Sequence, residues 1–172
     1  MADIALIELG SNIKPEEHLP RAVAALARLG RVEAVSAAYQ TEPFGPPGQP
    51  HFVNAAVRLL TELAPIDLRQ ELRAVEYALG RRRSADRYAP RPIDLDLCMY
   101  GQPPLQSDEL ALPDPDILAR PYLARTLAEV APDLVHPLTG QTLAELAQAT
   151  SADDGTLHLA ELSQQLGAQV RA

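Results

Sequence analysis

The sequence predicts an α+β domain, in which helices pack on an antiparallel sheet. Two observations carry this. Strand-like apolar stretches interleave with stretches whose leucines, valines and alanines recur at helical spacing. Their order is strand, helix, strand, strand, helix, strand, with Gly and Pro residues between them. Length agrees with one domain, since 172 residues fall within the usual range of roughly 100–200. A chain of this size buries roughly 70% of its unfolded surface, and 47% of its residues are hydrophobic.

Residues 3–9 read as the first strand, closed by the turn residues Gly10, Ser11 and Asn12. Leu19, Ala22, Val23, Leu26 and Leu29 then repeat at helical spacing, and Gly30 supplies a stop. Proline is tolerated in a first turn, so Pro20 predicts a helix beginning near residue 16 or later. Residues 32–41 read as a second strand. Residues 42–50 hold four prolines and two glycines and form a loop. Residues 52–60 read as a third strand. Pro65, Asp67 and the stripe Leu68, Leu72, Val75 and Leu79 predict a second helix, closed by Gly80. An arginine-rich loop covers 81–92, and a fourth strand covers 93–100. A turn at 101–104 follows, then a proline-punctuated stretch after Leu112. Helices are predicted from about Pro121 to Val130, around 141–148, and in the tail through Leu157, Leu159, Leu162 and Leu166. The strand–helix order matches a ferredoxin-like sandwich. One domain is expected over 1–150, with 151–172 a C-terminal extension packed on it or trailing it.

Composition narrows the function. A net charge of −8 disfavours binding to a long phosphate backbone. The single cysteine, Cys98, forms no internal disulfide, which suits a reducing cytoplasmic setting. The N-terminus reads as a strand and not as a signal peptide. No apolar run approaches the roughly 18 residues of a membrane helix. Lys14 is the only lysine, so every other basic side chain is the planar guanidinium fork of arginine.

The sharpest local signal is the run from Arg91 to Leu97. In a strand, Ile93, Leu95, Leu97 and Met99 face the core. Asp94 and Asp96 then share the other face, about 7 Å apart at their bases. Two carboxylates aimed the same way repel unless a cation intervenes, and Mg²⁺ takes one or two carboxylates together with substrate phosphates. By itself the pair also fits the wet face of an ordinary strand. Arg81, Arg82, Arg83, Arg87 and Arg91 lead straight into it. A helix C-terminus can account for Arg81 and Arg82, but not for Arg87 and Arg91, which flank Pro90. Guanidinium groups beside a metal site suit a triphosphate. No Walker-type loop is present. In the preceding segment, Phe44, Phe52 and Asn54 combine aromatic faces with an amide, which suits a flat heterocycle. Phe52 fits a core position equally well.

These segments together resemble the 6-hydroxymethyl-7,8-dihydropterin pyrophosphokinase family. The resemblance runs in order through Glu8–Asn12, Tyr39–Gly45, Gln49–Ala56, Glu76–Arg81, Ala89–Asp96, Leu112-Pro113 and Arg120. It implies transfer of the β,γ-pyrophosphoryl unit of ATP to the pterin alcohol, leaving AMP, with two Mg²⁺ ions as cofactors. Catalysis would rest on Arg81, Arg91, Asp94 and Asp96, with both aspartates holding metal. Glu76, Arg81, Arg83, Arg91, Leu97 and Arg120 would contact ATP. Thr41, Phe44, Phe52, Asn54, Tyr88 and Tyr122 would line the pterin pocket. The loops 42–50 and 80–92 are expected to close on substrate, and the protein is expected to be a monomer. The sequence departs from the family at Tyr88, where Trp is common, and at Asp114, where His is common. A degenerate nucleotide- or pterin-binding module of the same fold is the alternative, and Asp114 is its support. A nucleic-acid-binding module ranks last. His136 is read as a turn histidine before a metal ligand.

Overall fold

The computed structural model describes residues 1–43, 45–101, 103–150 and 155–170. In chain order its elements begin β1 (Asp3–Ser11), α1 (Pro15–Leu26), β2 (Arg31–Val35), β3 (Tyr39–Thr41) and β4 (Phe52–Thr61). Next come α2 (Pro65–Ala78), β5 (Asp94–Tyr100), β6 (Leu105–Gln106), β7 (Ala111–Leu112) and α3 (Asp116–Ala119). The last are α4 (Pro121–Val130), α5 (Leu143–Ala149), β8 (Leu157–His158) and α6 (Ala160–Val170).

β1 runs through the middle of an antiparallel sheet, between β5 and β4. The order is β5-β1-β4-β3-β8, and β2 also pairs with β4. This is the α+β arrangement the sequence predicts, with β2 and β3 sharing the place of its second strand. A bulge separates Val32 from Ala34. The chain leaves the ladder at Ser36, whose amide donates to Ala56 O and whose hydroxyl accepts from Ala56 N. The single strand expected over 32–41 is therefore two.

Alternation sorts the sheet residues between two cores. On one face Ile7, Leu9, Val57, Leu95 and Leu97 pack against Leu19, Leu26, Leu68 and Leu72 of α1 and α2. On the other, Leu6, Ala56 and Cys98 pack against Leu123, Leu127 and Leu143 of α4 and α5. Each such leucine contributes about 1.5–3 kcal/mol by leaving water.

Three further expectations are corrected. Met99 does not share a face with Leu97. The β1–β5 register shifts between Leu6 and Ile7, so Cys98 is an extra residue and Met99 turns to the second core. α1 starts at Pro15, which puts Pro20 in its second turn. Pro20 lacks an N–H for the Glu16 carbonyl, but Glu16 is exposed, and buried Leu19, Ala22, Val23 and Leu26 hold the helix down. The tail is not one helix from Leu157, because β8 precedes α6.

Candidate active site

α4 and α5 cover only half of the second sheet face. On the other half Glu8 and Gly10 of β1 lie beside Asn54 of β4 and Asp94 and Asp96 of β5. Glu8 is the direct cross-strand partner of Asp96, and Gly10 is the partner of both Asp94 and Asn54. A Cβ on Gly10 would sit 3.0 Å from Asn54 Oδ1, so glycine keeps this floor flat. Arg120 and Tyr122, at the start of α4, form one rim.

Two chambers adjoin the aspartates, one above this floor and one at the β5 edge toward α2. The larger, about 300 Å³, is lined by Thr41, Phe52, Asn54, Tyr88, Arg91, Asp94, Arg120 and Tyr122 among others. The smaller, about 220 Å³, is lined by Arg69, Arg73, Arg83, Leu97 and Asp114 among others. Asp96 is the residue that lines both. Phe44 lies outside the described residues.

Arg81 and Glu76 line neither chamber and stand behind the aspartates. Arg81, with a side chain only 10% exposed, donates to Asp94 Oδ1 at 2.7 Å and to Glu76 Oε1 at 2.8 Å. Glu76 also accepts from the Leu95 amide at 2.8 Å and from Arg83 at 3.0 Å. Arg91 reaches the other oxygen of Asp94 at 3.2 Å. Its backbone is strapped to the first strand, since Arg91 N donates to Asn12 Oδ1 at 2.7 Å and Asn12 N donates to Arg91 O. Asn12, in the turn after β1, thus fixes the end of the arginine loop. In the pocket wall the Asn54 amide donates to Thr41 Oγ1 at 2.6 Å. The two expected lid loops meet at Gly45 and Tyr88. Gly45 has φ +105°, and a Cβ there would lie 2.6 Å from the Tyr88 ring.

Electrostatics mark the same spot. Asp96 has accessible surface, but it opens into the cleft. Burial between the cleft walls, then the charges of Asp94, Asp114 and Glu76, push its carboxyl up to about 7. Glu8 is held well above the ordinary range by burial and then by Asp96 and Asp94. Burial also raises Asp114, against the pull of the Asp116 amide that donates to it at 2.9 Å.

Sequence reading missed Glu8, Arg69 and Arg73. Glu8 had a signal: it is a lone carboxylate within the apolar run Ile4–Leu9. Arg69, Arg73 and Glu76 recur at four and three along α2, which places them on one helical face. His136 is buried, and neither ring nitrogen has a hydrogen-bond partner. Among the described residues no cluster of three or more His, Cys, Asp or Glu could hold a metal ion, so His136 belongs to no such set.

Two carboxylates on a strand, backed by anchored guanidinium groups, suit positioning and charge neutralisation in phosphoryl transfer. The chain matches the family model of 7,8-dihydro-6-hydroxymethylpterin-pyrophosphokinase over residues 6–132 and belongs to that family. It is 41% identical over 146 residues to the 2-amino-4-hydroxy-6-hydroxymethyldihydropteridine pyrophosphokinase of Pseudomonas aeruginosa, covering 83% of this chain and 89% of that one. It is 40% identical over 147 residues to the protein of the same name from Synechocystis, covering 84% of this chain and 74% of that one. The fold also matches a crystal structure of Plasmodium falciparum HPPK-DHPS. The TM-score is 0.68 at 13% identity, over 87% of this chain and 44% of that longer one.

Proposed function

We propose that this protein transfers the β,γ-pyrophosphoryl unit of ATP to the hydroxyl of 6-hydroxymethyl-7,8-dihydropterin, releasing AMP, in folate synthesis. The observation that carries this reading is the pair of chambers on either side of β5, with Asp96 in the lining of both. A two-substrate transfer needs donor and acceptor in separate pockets with the reacting groups at their junction.

The larger chamber takes the pterin. Asn54 and Thr41 offer hydrogen-bonding groups at its edge, and Phe52, Tyr88 and Tyr122 offer aromatic surface. The smaller chamber takes the nucleotide, with Arg69, Arg73 and Arg83 as cationic contacts and Leu97 as an apolar one. Arg91 and Arg120 neutralise charge on the transferring oxygens, and Arg81 acts from behind by holding Asp94. Glu76 holds Arg81 and Arg83 in place.

Asp94 and Asp96 would hold Mg²⁺. Both are hard oxygen donors on one strand face, and a bound cation would offset the burial and the carboxylate repulsion that together raise Asp96. Two ions would clamp the triphosphate oxygens and acidify the pterin hydroxyl. The single cysteine, buried in the second core, suits a cytoplasmic setting. Residues 1–150 form the catalytic domain.

The test is a product assay. Purified protein with ATP, Mg²⁺ and the pterin alcohol should release AMP, not ADP, only when the pterin is present. Tight ligand binding without AMP would mean a degenerate binding module and would overturn the proposal.

A further inference from the structure

We propose that residues 155–170 position the pocket wall, acting through the short strand β3. This rests on the pterin reading of the larger chamber. β3 has only three residues, and one of them is Thr41, the partner of Asn54. Beyond Thr41 the chain enters the loop 42–50. So short a strand, paired on one side only, would be a weak frame with an open outer edge.

The tail closes that edge. β8 pairs with β3 through Tyr39 with His158 and Gln40 with Leu157. Leu159 N donates to Ala38 O at 2.9 Å, and Ala38 N donates to Ser163 Oγ at 2.8 Å. Ala38 is fully buried, so Ser163 is the acceptor for an amide that water does not reach. α6 is anchored in turn by Leu162 and Leu166 in the first core.

A second set of contacts ties the tail to α4 around the Tyr39 ring. His158 lies 5.6 Å from it and Arg125 lies 5.5 Å from it, centroid to centroid and guanidinium carbon to centroid respectively. Arg125 donates to Thr156, and the Tyr39 hydroxyl donates to Glu129. The tail therefore locks β3 to the helix whose first turn carries Tyr122. The residues lining the smaller chamber come from α2, the arginine loop, β5 and the 109–115 segment, and none belongs to β3 or the tail. The effect should fall on one substrate.

Ser163 is a positioning residue, tested by Ser163→Ala, with Leu159→Pro as a second variant that removes the donor to Ala38. Each should raise the KM for the pterin about three- to tenfold, the equivalent of one lost hydrogen bond. The KM for ATP and kcat should stay within about twofold. Ser163→Thr, which keeps the acceptor oxygen, should restore the pterin KM. Amide hydrogen exchange at residues 38–41 should quicken in Ser163→Ala and recover in Ser163→Thr, whatever the substrate proves to be. Faster exchange there with no pterin-dependent AMP from the unaltered protein would reject the substrate and keep the positioning role. Unchanged exchange at 38–41, or equal rises in both KM values, would overturn the inference.

Discussion

Glu76→Ala removes a buried carboxylate that three donors share. Arg83 is 56% exposed and regains water, so its loss costs little. The Leu95 amide and Arg81, 10% exposed, do not. An unmet buried amide costs about 1–3 kcal/mol. Breaking a buried ion pair costs about 3–5 kcal/mol when a charge is left alone. Arg81 keeps Asp94 at 2.7 Å, which moderates its share. With the ion-pair share taken at its lower end, about 3 kcal/mol, and the amide at about 1 kcal/mol, the two effects together come to about 4 kcal/mol. At this chain length that lowers Tm by roughly 10 °C. Kinetics adds a second readout, because Arg81 freed from Glu76 no longer holds one orientation behind Asp94. Urea and thermal unfolding, run beside kcat and both KM values, measure the effect. Glu76→Gln retains an acceptor for Leu95 N and should recover part of the stability. A Tm within about 2 °C of the parent, with kcat unchanged, would refute the claim that Glu76 organises the arginines.

Asp96→Asn should lower turnover by at least about a hundredfold, the scale of one strong electrostatic contact; steady-state AMP release checks it. The raised Asp96 carboxyl also sets a pH dependence. Its folded pKa of about 7 lies above the ordinary carboxylate value, so protonation favours the fold. That contribution is complete below the ordinary value and is lost as pH rises through about 7. Without metal, Tm should therefore fall from pH 5 to pH 8, and Asp96→Asn should flatten the slope. Glu8 shares this sign, whereas His136, lowered by burial, acts oppositely as pH falls below its ordinary range. Gly45→Ala conflicts with φ +105° and places a Cβ 2.6 Å from Tyr88. Its pterin KM should rise about tenfold or more, with little change in Tm because the loop is exposed. Asp114→His should preserve or improve ATP affinity by calorimetry; a clear loss would give the carboxylate a role of its own.

Local spacing determined much of this protein. Strand alternation placed Asp94 and Asp96 on one face, and Pro65, Gly80 and the leucine stripe delimited α2, because these are properties of a few consecutive residues. The ordered motifs from Glu8 to Arg120 carried the family. Tertiary structure decided what spacing cannot encode. The Cys98 bulge is a mismatch between two strands, so Met99 changed cores without any signal in its own segment. Glu8 became the neighbour of Asp96 through register between β1 and β5, far apart in sequence. Arg81 and Glu76 could be placed near phosphate by motif, but only packing shows them behind the aspartates and off the cleft lining. The tail reads as a helix by its leucines. Its first residues form β8 because the open edge of β3 offers backbone hydrogen bonds that a lone helix turn would not satisfy.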